Sequence, residues 1–186
     1  MRSLLAAALL AQAAPSTPVE VAAAPAAWKE PLARASKAAR ALQDRLQGRL
    51  ARALSDGGPA AAVSVCRDEA RQLALAVERE SGVQLGRTSD RLRNPANAPP
   101  AWAKRAVAGA AGLKASAVAP TALDLGDRLG VLFPIPVRGT CVGCHGPPES
   151  LPVSVKQALE AAYPGDRATG YAEGELRGFV WVEVPR

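Results

Sequence analysis

Apolar residues recur every three or four positions in two stretches of the N-terminal half, which predicts two amphipathic helices. The first helix begins near Trp28 and ends at the turn-forming residues 55–59. The second helix runs from about Pro59 to Glu80. Its apolar stripe has spacings typical of one helix face and consists of Val63, Cys66, Ala70, Leu73 and Val77. Cys66 is therefore predicted to lie on the buried face of the second helix.

The remainder of the chain is typical of an α+β domain. Alternating residues predict a short strand within 81–90, and two strands within 120–137 that turn near Gly126-Asp127. Residues 91–100 contain three prolines and are expected to form a loop, and helical composition returns over 102–112. A helix over 153–163 and a strand over 174–184 complete the pattern. The predicted fold is an antiparallel sheet with helices packed on one face.

The N-terminus has the features of a secretory signal peptide. Arg2 precedes an apolar run from Leu4 to Leu10, and the small-x-small sequence Ala11-Gln12-Ala13 resembles a cleavage site. We therefore expect a signal peptide at 1–13, a flexible spacer at 14–27, one domain at 28–186 and a periplasmic location. The run is shorter than the ~20 residues of a membrane-spanning helix, so no membrane span is expected in the mature chain. Retention of the leader as an anchor stays an alternative.

The distribution of charge along the chain argues against a nucleic-acid partner. The 186 residues carry a formal charge of +6, with 23 basic and 17 acidic residues. The basic residues are spread along the chain, and aromatic residues make up only 4% of it, so no set of stacking side chains accompanies them. The charge is best explained as solvated surface.

The sequence Cys141-Val142-Gly143-Cys144-His145 is typical of covalent attachment of one c-type haem. In that interpretation Cys141 and Cys144 form thioethers, and His145 is the proximal ligand of the iron. A thioredoxin-type disulfide and a zinc site completed by Cys66 are the alternatives. Both fit less well, because prolines follow the motif where a redox helix would begin, and because Cys144 and His145 are adjacent.

The sixth ligand of the iron is open to several donors. His145 is the only histidine, and the only methionine is Met1. The remaining donors are Cys66, a lysine such as Lys104 or Lys114, a tyrosine such as Tyr163 or Tyr171, and water. Cys66 is favoured because it is the cysteine left over after two thioethers form, although a small buried core residue is the ordinary role of such a cysteine.

Three arginines are candidates for the carboxylates of the haem propionates: Arg87, Arg91 and Arg93. Ordinary surface exposure is the alternative for each of them.

Five stretches resemble a family of small exported c-type haem proteins with a PAS-like fold, which includes haem-carrying sensor domains ahead of histidine kinases. They are Val65-Cys66 with Ala70, residues 93–99 with Trp102, residues 133–137, Cys141 to Gly146, and residues 163–171 with Gly174 and Arg177-Gly178. The resemblance implies a PAS-like antiparallel sheet flanked by helices, with Cys66 and His145 as the distal and proximal ligands of the haem iron. No kinase sequence follows Arg186, so a signal is expected to pass to a separate partner.

The function predicted from the sequence is that of an exported haem-binding sensor of redox state or of a diatomic gas. A low-potential electron-transfer cytochrome with a redox partner protein is the first alternative, and a thiol-disulfide or zinc protein is the second. Catalysis is not expected, because Cys66 and His145 together would fill both axial positions of the iron.

Overall fold

The computed structural model describes residues 17–186, so the predicted signal peptide and residues 14–16 lie outside the described part of the chain. Its helices are α1 (Lys29–Ser64), α2 (Ala70–Ser81), α3 (Lys104–Gly109), α4 (Gly139–His145) and α5 (Val153–Ala162). Its strands are β1 (Val19–Glu20), β2 (Gln84–Thr88), β3 (Thr121–Asp124), β4 (Arg128–Pro136) and β5 (Leu176–Pro185). Between residues 17 and 186, no helix combines the length and apolar character needed to cross a bilayer.

The five strands form one antiparallel sheet in the order β1-β3-β4-β5-β2. The central strands β4 and β5 contain nine and ten residues, whose side chains alternate between the two faces of the sheet. Val182 of β5 lies opposite Val131 of β4 and Leu85 of β2, which aligns three apolar side chains in one row. The predicted α+β class and the antiparallel sheet are confirmed.

Both faces of this sheet are covered, so the prediction of helices on one face is wrong. Helices α1 and α2 cover the first face, where the fully buried residues include Leu42, Val77 and Val182. Residues 101–117 cover the second face, with Val107 of α3 packed among Leu132 and Phe179. The strands require this second cover because β4 and β5 place large apolar side chains on both faces.

Helix α1 is interrupted where the sequence predicted the end of the first helix. Gly58 has φ 72° and ψ −171°, and Pro59 then begins a second helical stretch. Between α1 and α2, residues Val65–Glu69 form a π-helical turn, which accommodates one more residue than an α-helical turn. This extra residue shifts the apolar stripe that the sequence predicted for the second helix. Val65 is 2% exposed, whereas Cys66 is only partly buried.

Part of the expected spacer has a defined place in the fold. Strand β1 pairs with β3, and the amide of Val21 donates a 2.9 Å hydrogen bond to the carbonyl of Pro120. Val21, Ala24 and Trp28 pack against the core beneath α1. Within the expected spacer, residues 19–24 thus contact the sheet and its core, because β1 pairs with the free edge of β3.

Candidate functional site

Helix α4 carries both cysteines of the motif and His145. Residues 139–145 form a short helix that ends at Gly146, before Pro147 and Pro148. A Cβ atom at Gly146 would lie 2.6 Å from the carbonyl oxygen of Val142, so only glycine lets the chain leave the helix in this direction.

The chain after α5 wraps around the C-terminal end of α4 and satisfies its carbonyl groups, which have no partner inside the helix. The amides of Gly170 and Tyr171 donate to the carbonyls of Gly146 and His145, at 2.8 and 2.9 Å. Nη2 of Arg93 donates to the carbonyl of Cys144 at 2.6 Å. The position of the motif is thus fixed by residues distant from it in sequence.

The imidazole of His145 is held in one orientation. Its Nδ1 lies 2.7 Å from the carbonyl oxygen of Ala168, and because a carbonyl can only accept, Nδ1 carries the proton. Nε2 is left with its lone pair, the arrangement typical of a metal-binding histidine. Burial lowers the pKa of His145 well below its usual range, and the charges of Arg177 and Arg93 lower it further. The ring is therefore neutral at neutral pH, which is its metal-binding form.

A buried ion pair fixes the carbonyl that holds His145. Nε of Arg93 lies 2.9 Å from Oδ2 of Asp166, and the two side chains are 8% and 10% exposed. The other carboxylate oxygen of Asp166 accepts from the amide of Ala168 at 2.7 Å, while Nη2 of Arg93 donates to the carbonyl of Ala168 at 3.3 Å. The pair thus binds the peptide on both sides of Ala168.

The structure brings Cys66 close to the motif, although 78 residues separate it from Cys144. Burial raises the pKa of the Cys144 thiol, the charge of Arg93 opposes that rise, and ionisation of Cys66 or Cys141 would raise the pKa further. The charge of Cys66 also raises the pKa of Tyr163, after the larger effect of burial. All three cysteines are free thiols. Between residues 17 and 186, no three His, Cys, Asp or Glu side chains are grouped so as to hold a metal ion.

The other donors proposed for the sixth position lie in different surroundings. Lys104 and Lys114 are exposed, and Lys104 belongs to α3, on the face of the sheet opposite α1 and α2. Tyr171 is 2% exposed and meets the His145 ring edge-on, with 6.3 Å between ring centroids. Tyr163 is 7% exposed and packs with Val63 of α1.

The predicted arginines have three different environments. Arg93 is engaged in the ion pair described above. Arg91 lies over the ring of Tyr171, with 3.5 Å between Cζ and the ring centroid, and donates to the carbonyl of Thr169 at 3.0 Å. Arg87 is partly buried, and its side chain has no hydrogen bond or ion pair with any residue of the described chain. It lies opposite Val180 in the sheet, on the face covered by α1 and α2.

Sequence reasoning missed Arg177 as a candidate for the site. Its Nε is buried without a hydrogen-bond partner, and its Cζ lies 5.4 Å from the centroid of the Tyr171 ring. Burial lowers the pKa of Arg177. In sequence Arg177 stands near Glu175 at the start of the strand predicted over 174–184, where it looks like an ordinary surface residue.

A cleft of about 280 Å³ lies at the other end of the sheet, lined by Gly82, Val83, Gln84, Asp127, Arg128, Glu183 and Pro185. None of the predicted site residues lines it.

Comparison with known proteins identifies the family. The crystal structure of the cyanobacterial heme-protein Tll0287 is similar, with a TM-score of 0.58 and 22% sequence identity over 88% of this chain and 98% of that chain. No protein of the curated set matches significantly. The family described as Tll0287-like matches residues 18–185, which is nearly all of the described chain. This chain therefore belongs to the Tll0287-like family.

Proposed function

We propose that the chain binds one c-type haem covalently through Cys141 and Cys144, with His145 as the proximal ligand of the iron. The observation that carries the proposal is the hydrogen bond from Nδ1 of His145 to the carbonyl of Ala168, which leaves Nε2 available beside the two thiols of α4. Membership of a family whose cyanobacterial relative is a heme-protein supports it. The excess of arginine over acidic side chains beside His145 also suits a cofactor that carries two carboxylates.

Cys66 is proposed as the distal ligand. Support comes from its surroundings: Val63, three residues before Cys66, shares a buried cluster with Tyr163, and Cys144 of α4 packs against that cluster. Cys66 also lies in a π-helical turn, an irregularity frequently found at functional sites. A haem bound between a thiolate and an imidazole supplies one-electron chemistry at the low end of the range of potentials.

The proposed role is that of a sensor of redox state or of a diatomic gas, in a PAS-like domain that acts in the periplasm and is not an enzyme. His145 is held by Ala168 and by the adjacent Cys144, whereas Cys66 lies in a helix interrupted at Gly58 and in its own π-helical turn. Reduction adds negative charge beside the sulfur, so Cys66 is expected to take up a proton and leave the iron. Such a release is a local change able to bias a larger conformational equilibrium.

Covalent attachment is tested by expressing the chain together with a c-type haem maturation system. Mass spectrometry of the purified protein should show one haem added to a chain that begins near Ala14, and the reduced pyridine complex should have the spectrum of two thioether bonds. A colourless protein, or one with zinc or a Cys141–Cys144 disulfide, would contradict the proposal.

Distal ligation is tested by Cys66→Ala, with Ser64→Ala as the matched control, because Ser64 is exposed in the same region of the helix. Loss of a thiolate ligand should raise the reduction potential and change the low-spin spectrum, while the haem stays attached. The control should have the wild-type spectrum. If Cys66→Ala keeps the wild-type spectrum and potential, the distal ligand is another group.

The sensor role is tested by comparing hydrogen exchange in the oxidised and reduced protein. A sensor should lose protection over residues 59–81 on reduction and bind carbon monoxide, while residues 176–185 of β5 stay protected. If the reduced protein refuses carbon monoxide and the helix keeps its protection, electron transfer is the better assignment, because a carrier requires little rearrangement.

A further inference from the structure

More positive than negative charge surrounds His145 and Tyr171. Arg87, Arg93 and Arg177 all act on the pKa of His145. Among the described residues, Asp166 is the one acidic side chain that pairs with any of these three arginines. It pairs with Arg93, so two guanidinium charges have no carboxylate partner.

Arg177 is the more costly of the two unpaired charges. Its Nε is shielded from water and has no hydrogen-bond partner, and its one hydrogen bond runs from Nη1 to the carbonyl of Arg91 at 3.3 Å. An arginine stays protonated in proteins, so burial leaves an uncompensated charge rather than a neutral group. Such a charge is strongly unfavourable unless an anion joins it.

Arg93 and the neighbouring Arg91 already bond to protein groups. Arg93 directs Nε and Nη2 at Asp166 and at two carbonyls, and Arg91 lies on the Tyr171 ring and donates to Thr169. The side chain of Arg87 has no hydrogen-bond or ion-pair partner among residues 17–186 and lies on the sheet face covered by α1 and α2. Arg177, whose Nε is buried without a partner, and Arg87, whose side chain makes no hydrogen bond or ion pair, are therefore the guanidinium groups left unsatisfied beside the motif.

We propose that Arg177 and Arg87 form a carboxylate-binding site that receives the propionate groups of the haem. The inference rests on the proposed function, which supplies the haem. The planar guanidinium group forms two parallel hydrogen bonds with a carboxylate, so each of these arginines suits one of the two propionates. Of the three arginines expected from the sequence to bind the propionates, this proposal keeps Arg87, and it adds Arg177.

The test uses the haem-loaded protein and the variants Arg177→Gln, Arg87→Gln and Arg177→Lys. Arg167→Gln is the matched control, because Arg167 is an exposed arginine that donates to a backbone carbonyl in the same region. The first readout is the propionate bending band in the resonance Raman spectrum, which responds to hydrogen bonds on the carboxylates. The second readout is the reduction potential.

Arg177→Gln and Arg87→Gln should each shift the propionate band and lower the reduction potential, since loss of a nearby positive charge disfavours the added electron. Arg177→Lys should keep most of the potential but shift the band, because an ammonium group retains the charge without the planar fork. Arg167→Gln should change neither readout. If Arg177→Gln does not fold, Arg87→Gln and Arg177→Lys still report on the same carboxylates.

The inference is overturned if the variants load haem but show the band and the potential of the wild type. It is also overturned if the wild-type stability rises with added chloride or acetate while the band stays constant, since a solution anion would then occupy the arginines. Failure of the proposed function would give a different result, because neither the wild type nor any variant would then carry covalent haem.

Discussion

The buried ion pair between Arg93 and Asp166 is the contact whose loss we expect to destabilise the fold most. Asp166→Ala leaves the Arg93 charge buried beside Ala168 without its carboxylate, at a cost of about 3–5 kcal/mol. The amide of Ala168 also loses its acceptor. A domain of this kind has a free energy of unfolding of about 5–15 kcal/mol, so the variant loses a large share of it.

Urea denaturation followed by circular dichroism measures this loss. With a slope of about 2 kcal/mol per molar urea, the midpoint should fall by about 1.5–2.5 M. The matched control is Glu80→Ala, which breaks the exposed Arg45–Glu80 pair and should have a much smaller effect, because water screens those charges. If Asp166→Ala lowers the midpoint no more than Glu80→Ala does, the buried pair is not the constraint that we describe.

Two further predictions concern the sheet and an exposed carboxylate. Gly178→Ala should destabilise the protein by about 1–3 kcal/mol in urea denaturation. The new Cβ would lie 2.2 Å from the carbonyl oxygen of Thr88, and φ of Gly178 is +149°. In the control Gly165→Ala the new Cβ meets nothing within 4 Å, so the stability should not change. Hydrogen bonding to Arg45 lowers the pKa of Glu80, so its stabilisation is present above the ordinary glutamate pKa and is lost as pH falls through the lower folded-state value. Glu80→Gln should therefore flatten the acid limb of a stability-against-pH curve; an unchanged limb would contradict this assignment.

The sequence predicted the long helices and strands because each leaves a repeating pattern of apolar residues. Leucines at four-residue spacing indicated α1, and the turn at Gly126-Asp127 indicated the hairpin of β3 and β4. The spacing of Cys141, Cys144 and His145 predicts attachment of a c-type haem from the local sequence alone. These signals are local, so tertiary packing does not alter them.

Features created by tertiary contacts were missed. The helical composition over 102–112 was recognised, but the six residues of α3 are too few for a periodic apolar stripe, so its position on the second face of the sheet was not predicted. Strand β1 has two residues and exists because β3 offers an edge. Arg87 and Arg93 look alike in sequence, and only burial and the partner Asp166 separate them. The unpaired Nε of Arg177 is likewise visible only once its neighbours are known.

The π-helical turn at Val65–Glu69 makes the length of this helix, as well as its composition, part of the site. Deleting one residue from the turn would restore a regular α-helix, and the intrinsic helix propensity of these residues is compatible with that helix. It would also rotate the two halves of the helix against each other by one residue, about 100°. Val65 and Cys66 could then not both keep their present surroundings. Insertions and deletions within these five residues should therefore be tolerated far less than substitutions at their exposed positions.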